Sequence, residues 1–237
     1  MITLPVSDGS EYRVHPSKII ALGLNYHAHI QESESVRVQG FTKDIPPEPI
    51  LFAKTPNSLV GPSEEIVIPA ILASYDFDTP RTDHEGELAF IIGRDCSHIE
   101  PEEAYDYIYG YTCMNDVSQR NIQNADRSGW FRGKSFDTFA PIGPRIVLQK
   151  DLGDPQSLAI ECRVNGEVRQ SGNTASMIFG IAETLSFISK NFSLLAGDIV
   201  LTGTPSGVGP LQHGDVVEVE IEGIGILSNP VRDARLA

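Results

Sequence analysis

Turn-forming residues recur so often along this chain that no long element fits between them: 16 prolines and 21 glycines are scattered over 237 residues. Such punctuation predicts many short elements joined by turns. Where the pattern between turns is clear, it has the period of a strand. Over 217–222, Val217, Val219 and Ile221 alternate with Glu218, Glu220 and Glu222, one face for a core and one for water. Gly214-Asp215 before this run and Gly223 after it are turn signals. Further strands are expected over 18–22, 50–54, 87–92, 111–116, 159–164 and 198–202, and Asn165-Gly166 reads as a tight hairpin turn. Two helices are expected. One, over 101–109, opens on Pro101 with Glu102 and Glu103 at the positive end of its dipole. The other, over 176–190, places Ile178, Ile181, Ala182, Leu185 and Ile188 on one face and Lys190 at its C-terminus. Strands and helices do not alternate, which argues against a TIM barrel or a Rossmann fold and for a strand-rich α+β domain.

The length suits one large domain or two small ones, at about 150 residues per domain. Residues 1–45, ending in Ile45-Pro46-Pro47, read as a small N-terminal segment packed on the remaining 46–237. Eighteen basic against 32 acidic residues leave a net charge of -14, which disfavours nucleic acid and anionic membranes as partners. No apolar run reaches 18 residues, so no transmembrane helix is expected. The N-terminus lacks the basic and apolar regions of a signal peptide. Cys96, Cys113 and Cys162 are an odd number without a CxxC, which suits free thiols in a reducing cytoplasm.

Several short patterns carry chemistry. His84-Glu85-Gly86-Glu87-Leu88 leads into an apolar strand with two carboxylates at i, i+2. Alternation puts both on one face with Cα atoms ~6.6 Å apart, close enough to converge on one cation; a solvated strand face is the plainer alternative. Asp116 closes the run Tyr111-Thr112-Cys113-Met114-Asn115, as a third carboxylate or as a turn residue. Two Glu and one Asp make an all-oxygen set suited to Mg2+ or Mn2+, whereas zinc favours His or Cys. Arg120 and Gln123, three apart, share one side of a helical turn, where Arg120 could grip a substrate carboxylate or simply be a surface arginine. Lys134, alone in its stretch, has the pattern of a surface lysine. His29 and Glu32 could pair as a base and its orienting carboxylate, or as a surface ion pair. Thr202-Gly203-Thr204-Pro205-Ser206-Gly207-Val208-Gly209 is not a phosphate-binding loop, but its small residues allow a close backbone approach to a ligand.

Taken in order, these pieces resemble the fumarylacetoacetate hydrolase superfamily. The resemblance spans about residues 19 to 230. It adds Gly23-Leu24-Asn25-Tyr26, Pro49-Ile50-Leu51-Phe52-Ala53-Lys54, Gly133-Lys134-Ser135-Phe136-Asp137-Thr138, Pro141-Ile142-Gly143-Pro144, Asn165-Gly166-Glu167, Met177-Ile178-Phe179 and Gly197-Asp198-Ile199-Val200-Leu201 to the segments above. One departure is Asn121, where many members carry Asp. The resemblance implies a mixed β-sheet roll with short flanking helices, one Mg2+ or Mn2+ per chain, and a homodimer. It implies that Glu85, Glu87 and Asp116 are metal ligands and that Arg120, Gln123, Lys134 and Thr204 contact substrate. It also implies that His29 and Glu32 form the lid dyad of the short, acylpyruvase-like members.

The implied substrate is a small anionic 2-oxo acid. The expected reaction is hydrolysis of a C–C bond in an acylpyruvate, through a pyruvate enolate whose charge the ion stabilises, with His29 deprotonating water. The alternatives on the same site are an oxaloacetate-type decarboxylase and a 2-hydroxyhepta-2,4-diene-1,7-dioate isomerase of aromatic catabolism. A binding protein for dicarboxylates is the non-catalytic alternative. Lys134 is expected to serve the substrate rather than the fold, so that its removal lowers turnover more than stability. The stretch 33–40 is expected to order over a bound ligand and bring His29 and Glu32 above the ion.

Overall fold

The computed structural model describes residues 2–33, 43–127 and 129–236. The strand-rich α+β reading holds: a mixed seven-stranded sheet packs against a five-stranded one, with few and short helices. The larger sheet runs in the order Ile50–Lys54, Ile19–Gly23, Ile199–Leu201, Gly86–Ile92, Ile108–Asn115, Ala140–Leu148, Leu59–Val60. The smaller runs Glu167–Asn173, Ala159–Val164, Val216–Ile221, Gly225–Asp233, Ile66–Ile68. A short three-stranded sheet holds Thr82–His84 between Ser118–Gln119 and Gly209–Pro210.

The strand Gly86–Ile92 explains how the layers stack. Leu88, Phe90 and Ile92 join a core cluster with Ile160, Cys162, Val217, Val219 and Ile221 of the smaller sheet. Ala89 and Ile91 point the other way, into a second cluster with Leu4, Val14, Ile19 and Met114. Both faces are therefore buried, which is why this strand reads as an unbroken apolar run while Val216–Ile221 alternates. The first 45 residues supply the hairpin of Thr3–Pro5 with Glu11–Arg13 and the strand Ile19–Gly23, which lies inside the large sheet. Val164 and Glu167 pair across Asn165-Gly166, whose φ values of 54° and 80° are those of the expected hairpin turn. All three cysteines are buried and free. Among the described residues no helix is long and apolar enough to cross a membrane.

Both expected helices need correction. The segment after Glu100 is a 3-10 helix, Pro101–Tyr107, closed at its start by a reciprocal Glu100–Glu103 capping box, and the chain turns into a strand at Ile108. The second helix spans Ile181–Asn191, starting five residues later than its apolar spacing suggests. Residues ahead of it are held out of helical shape by Asn25. The Asn25 carbonyl accepts from Ile178 N and its side-chain oxygen from Phe179 N, each at 2.8 Å. Gly180 then caps the helix in an extended conformation.

Asp198 ties the two parallel strands Ile19–Gly23 and Ile199–Leu201 together at their entrances. Its buried carboxylate accepts from Ser17 N (3.0 Å), Ser17 Oγ (2.6 Å), Lys18 N (3.1 Å), Lys18 Nζ (2.5 Å) and Leu195 N (2.8 Å). Burial pushes its pKa up, but the hydrogen bonds from Leu195, Lys18 and Ser17 outweigh this and hold it below the usual carboxylate value. Asp198→Asn is expected to cost about 1–3 kcal/mol, the range for disrupting a buried, charge-assisted set. A depressed folded pKa stabilises above the unfolded value, near 3.9 for Asp, and that contribution vanishes as pH falls through the folded pKa. Denaturant melts from pH 7 to pH 3 should therefore show the gap between wild type and variant closing on the acid side. A pH-independent gap would contradict this account.

Candidate active site

One strand pairing assembles the carboxylates. Gly86–Ile92 runs antiparallel to Ile108–Asn115, with Gly86 opposite Asn115. Glu85 and Asp116 are therefore neighbours just beyond the paired ends. Asp116 N donates to Glu85 O at 2.8 Å, and Glu85 N to Asn115 Oδ1 at 2.9 Å. Glu85, Glu87 and Asp116 are 4%, 1% and 0% exposed, and each offers an oxygen within 4.8 Å of the others. Buried like charges this close must be offset. Lys134 Nζ donates to Glu85 Oε2 (2.6 Å) and Asp116 Oδ2 (2.5 Å), Lys54 Nζ to Asp116 Oδ1 (2.6 Å), and Arg120 Nη2 to Glu85 Oε1.

The compensation is uneven. Burial pushes Glu85 up, but Arg120 and Lys134 more than reverse this and hold it well below the usual range. Glu87 is pushed well above that range by burial and by Asp116 and Glu85. Its polar contact is the Gly203 amide at 2.7 Å, and among the described residues no ammonium or guanidinium bonds it. Three convergent oxygen donors, one of them without a cationic partner, fit a hard divalent ion. Two further buried polar atoms, Asn115 Nδ2 and the Tyr26 hydroxyl, have no hydrogen-bond partner, and Tyr26 feels the charge of Glu87.

Around the cluster, one pocket is lined by His29, Glu85, Glu87, Arg120, Gln123, Lys134 and Thr204, with Leu24, Phe52 and Trp130 as apolar wall. Asp116 is clustered with Glu85 and Glu87 of that lining, and Glu32 lines an adjoining pocket. The residues singled out in sequence thus come together. Arg120 and Gln123 share the helix Arg120–Ala125, and Arg120 Nη1 donates to Gln123 Oε1 at 3.1 Å. His29 and Glu32 share the helix His27–Glu32, with Nδ1 and Oε1 3.1 Å apart. Glu32 also accepts from Gly207 N (2.9 and 3.0 Å) and Val208 N (3.4 Å). Burial raises its pKa, but His29 and these amides outweigh it and keep the carboxyl ionised below its usual value. Gly207 is required at this contact: its φ is +100°, and a Cβ would lie 1.9 Å from the Arg169 carbonyl.

Three side chains are engaged more tightly than their local patterns suggest. Lys134 is not a surface lysine; it is 2% exposed and bridges two carboxylates, so it serves the fold as well as any substrate. Arg120 is likewise buried, with Nε on Asp83 Oδ2 at 2.8 Å. The Thr204 hydroxyl is engaged on both sides, donating to Gly86 O (2.8 Å) and accepting from Gln170 Nε2 (2.7 Å). Of the stretch 33–40 expected to close over ligand, 34–40 lies outside the described residues. Lys54 and Asp83 had no assigned role in the sequence reading. The signal for Lys54 is one cation ending the apolar run Ile50-Leu51-Phe52-Ala53; that for Asp83 is an acid two residues before Glu85 in the same alternation.

Comparison with known proteins agrees with this fold. The protein-family model described as Fumarylacetoacetate (FAA) hydrolase C-terminal matches residues 18–232. The oxaloacetate tautomerase YisK of Bacillus subtilis is 41% identical over 235 residues, covering 94% of this chain and 74% of that protein. The crystal structure of 2-hydroxyhepta-2,4-diene-1,7-dioate isomerase from Mycobacterium marinum superposes with a TM-score of 0.79 at 37% identity, covering 95% of this chain and 82% of its own. That of fumarylpyruvate hydrolase from Pseudomonas aeruginosa, in complex with Mn2+ and pyruvate, superposes at 0.84 with 32% identity, covering 98% and 95%.

The charge network makes opposite predictions for two of its members. Lys54→Met strips Asp116 of a fully buried partner and should cost about 3–5 kcal/mol. Glu87→Gln removes a carboxylate that its neighbours oppose, so melting temperature should hold or rise while Mn2+ affinity falls at least tenfold. Thermal melts and calorimetric titration with Mn2+ check both. Destabilisation by Glu87→Gln, or unchanged Mn2+ affinity in it, would count against the compensation described here.

Proposed function

The chain belongs to the fumarylacetoacetate hydrolase family, and on that premise we propose that it is a divalent-metal-dependent enzyme that makes or breaks the enol of a small 2-oxo acid. The observation that carries this reading is the convergence of three carboxylates, two of which line one pocket with a base, His29. Glu85, Glu87 and Asp116 would hold one Mg2+ or Mn2+, which when bound supplies Lewis-acid polarisation of the 2-oxo group.

The chain's own residues supply the rest. Glu32 accepts at His29 Nδ1, so that nitrogen carries the proton and Nε2 is left as the acceptor. A base so oriented can take a proton from the carbon beside the keto group. Glu32 then stabilises the imidazolium that forms. Lys134 and Arg120 keep positive charge beside Glu85, where the enolate's negative charge develops. Gln123 orients Arg120 through its side-chain oxygen. Leu24, Phe52 and Trp130 keep the wall apolar, which strengthens these interactions.

Keto–enol interconversion of an oxaloacetate-type diacid is the reaction we favour. It asks least of the site, needing only proton transfer at carbon, and a 41% identical relative is named an oxaloacetate tautomerase. Acylpyruvate hydrolysis is the second reading, supported by the same dyad, which can deprotonate water, and by the likeness to a fumarylpyruvate hydrolase. Isomerisation of a hydroxydienoate also passes through an enol, and a solved isomerase is similar.

The test is a panel with Mn2+ present: ketonisation of enol-oxaloacetate, its decarboxylation, and hydrolysis of acetylpyruvate and fumarylpyruvate. Ketonisation is expected to be fastest. His29→Ala should slow it roughly 100- to 10,000-fold, the usual worth of a positioned base, with Mn2+ binding intact. Full activity in excess EDTA would remove the metal from the reading. Unchanged rates in His29→Ala would remove the dyad, and faster hydrolysis than ketonisation would put the second reading first.

A further inference from the structure

Alternation gives the segment that carries Glu85 and Glu87 a back as well as a front. His84 and Gly86 occupy the intervening positions and turn toward the smaller sheet. A Cβ at Gly86 would lie 3.2 Å from both Cys162 Cβ and Val219 Cγ1, so the two sheets meet at the residue between the glutamates. Gln170, paired with Cys162 in the smaller sheet and 1% exposed, reaches this junction with its side chain.

The Gln170 amide uses its full bonding capacity there. Its Oε1 accepts from Gly86 N at 3.0 Å and from His84 Nδ1 at 3.1 Å. Its Nε2 donates to Thr204 Oγ1 and to Pro205 O, each at 2.7 Å. Two acceptances and two donations are what a primary amide offers. The amide cannot be turned over, because the Gly86 N–H only donates and the Pro205 carbonyl only accepts. Its orientation fixes that of Thr204. Since Thr204 Oγ1 accepts from Gln170, its single proton goes to Gly86 O, at 2.8 Å. Gly86, Gln170 and Thr204 thus close a ring of hydrogen bonds.

That ring grips the backbone on both sides of Gly86. The Gly86 N–H belongs to the peptide joining it to Glu85, and the Gly86 carbonyl to the peptide joining it to Glu87. The cations do not supply the same restraint. Lys134 and Arg120 hold the Glu85 carboxylate, whereas Glu87 is bonded by the Gly203 amide, the residue next to Thr204, and by no cation of the described residues. We propose that Gln170 is a positioning residue of the carboxylate cluster, which sets from behind the strand the spacing at which Glu85 and Glu87 meet a divalent ion. The proposal rests on the metal reading above and adds a residue of the smaller sheet to it.

Calorimetric titration with Mn2+, alongside the electron paramagnetic resonance spectrum of the bound ion, tests this without any turnover assay. Gln170→Met should lower Mn2+ affinity roughly 10- to 100-fold, the usual cost of removing a group that orients a ligand, and alter the spectrum. Thr204→Val opens the same ring from its other side and should also weaken Mn2+ binding. The double variant should lose little more than either single one, because the two groups act as a unit. Asn229→Leu is the matched control. Asn229 is also a 1% exposed amide of the smaller sheet, and it bonds Gly61 O and Glu64 O instead, each at 2.9 Å. Its loss should lower the melting temperature and leave Mn2+ affinity unchanged. Unchanged affinity in Gln170→Met, or an equal fall in Asn229→Leu, overturns the proposal. Should Gln170→Met fail to fold, unchanged Mn2+ affinity in Thr204→Val overturns it. A wild-type protein that binds no Mn2+ removes the metal reading together with the role of Gln170; Mn2+ binding that ignores Gln170 removes that role alone.

Discussion

The site depends on placing three carboxylates in a dry place, and everything around them answers that cost. Bringing Glu85 and Asp116 together requires only the pairing of Gly86 with Asn115. Keeping them ionised requires cations equally buried, and Lys54, Lys134 and Arg120 arrive from three separate segments to supply them. A lone buried ion would cost several kcal/mol, so none of these groups is tolerable without the others. The network is thus a unit of folding as much as of chemistry. Glu87, opposed by its neighbours and bonded by no cation of the described residues, is where that unit remains incomplete on its own.

The architecture serves this arrangement by burying both faces of Gly86–Ile92. The strand is rigid because each face meets a different packed cluster, so the carboxylates at its entrance sit on a fixed platform. His29 has a different kind of support. His29 and Glu32 stand on a helix of six residues, too short to hold its place by its own hydrogen bonds. Glu32 is anchored instead by the Gly207 and Val208 amides. The glycine-rich loop therefore serves both ends of the site, since its Gly203 amide also holds Glu87. A rigid platform beneath and a short, loop-tethered helix above suit an enzyme whose substrate must enter and leave.

Similar proteins are named for a tautomerase, an isomerase and a hydrolase activity. On the function proposed above, the parts that favour an enol are the ones buried deepest here. Beside the carboxylate cluster lies an outer pocket, where Arg81 and Glu32 line the wall. A constant interior with a variable rim is how one fold hosts several activities.

Local patterns were legible without any structure. Period-two alternation placed Glu85 and Glu87 on one face, the Asn165-Gly166 turn followed from the backbone freedom of those residues, and the ordered short motifs indicated the family. The strand-rich class followed from turn frequency, because short elements are what such punctuation permits. Other features were decided only when distant segments met. Whether Lys134 was a surface charge or a buried bridge depended on Glu85 and Asp116, 49 and 18 residues away, and on desolvation that no spacing encodes. Lys54 took its meaning from Asp116, 62 residues further on. The start of the helix at Ile181 was set by Asn25, 154 residues before the Phe179 amide that it holds. Sequence patterns record what each residue does with its neighbours in the chain, whereas charge compensation and capping of this kind are fixed by neighbours in space.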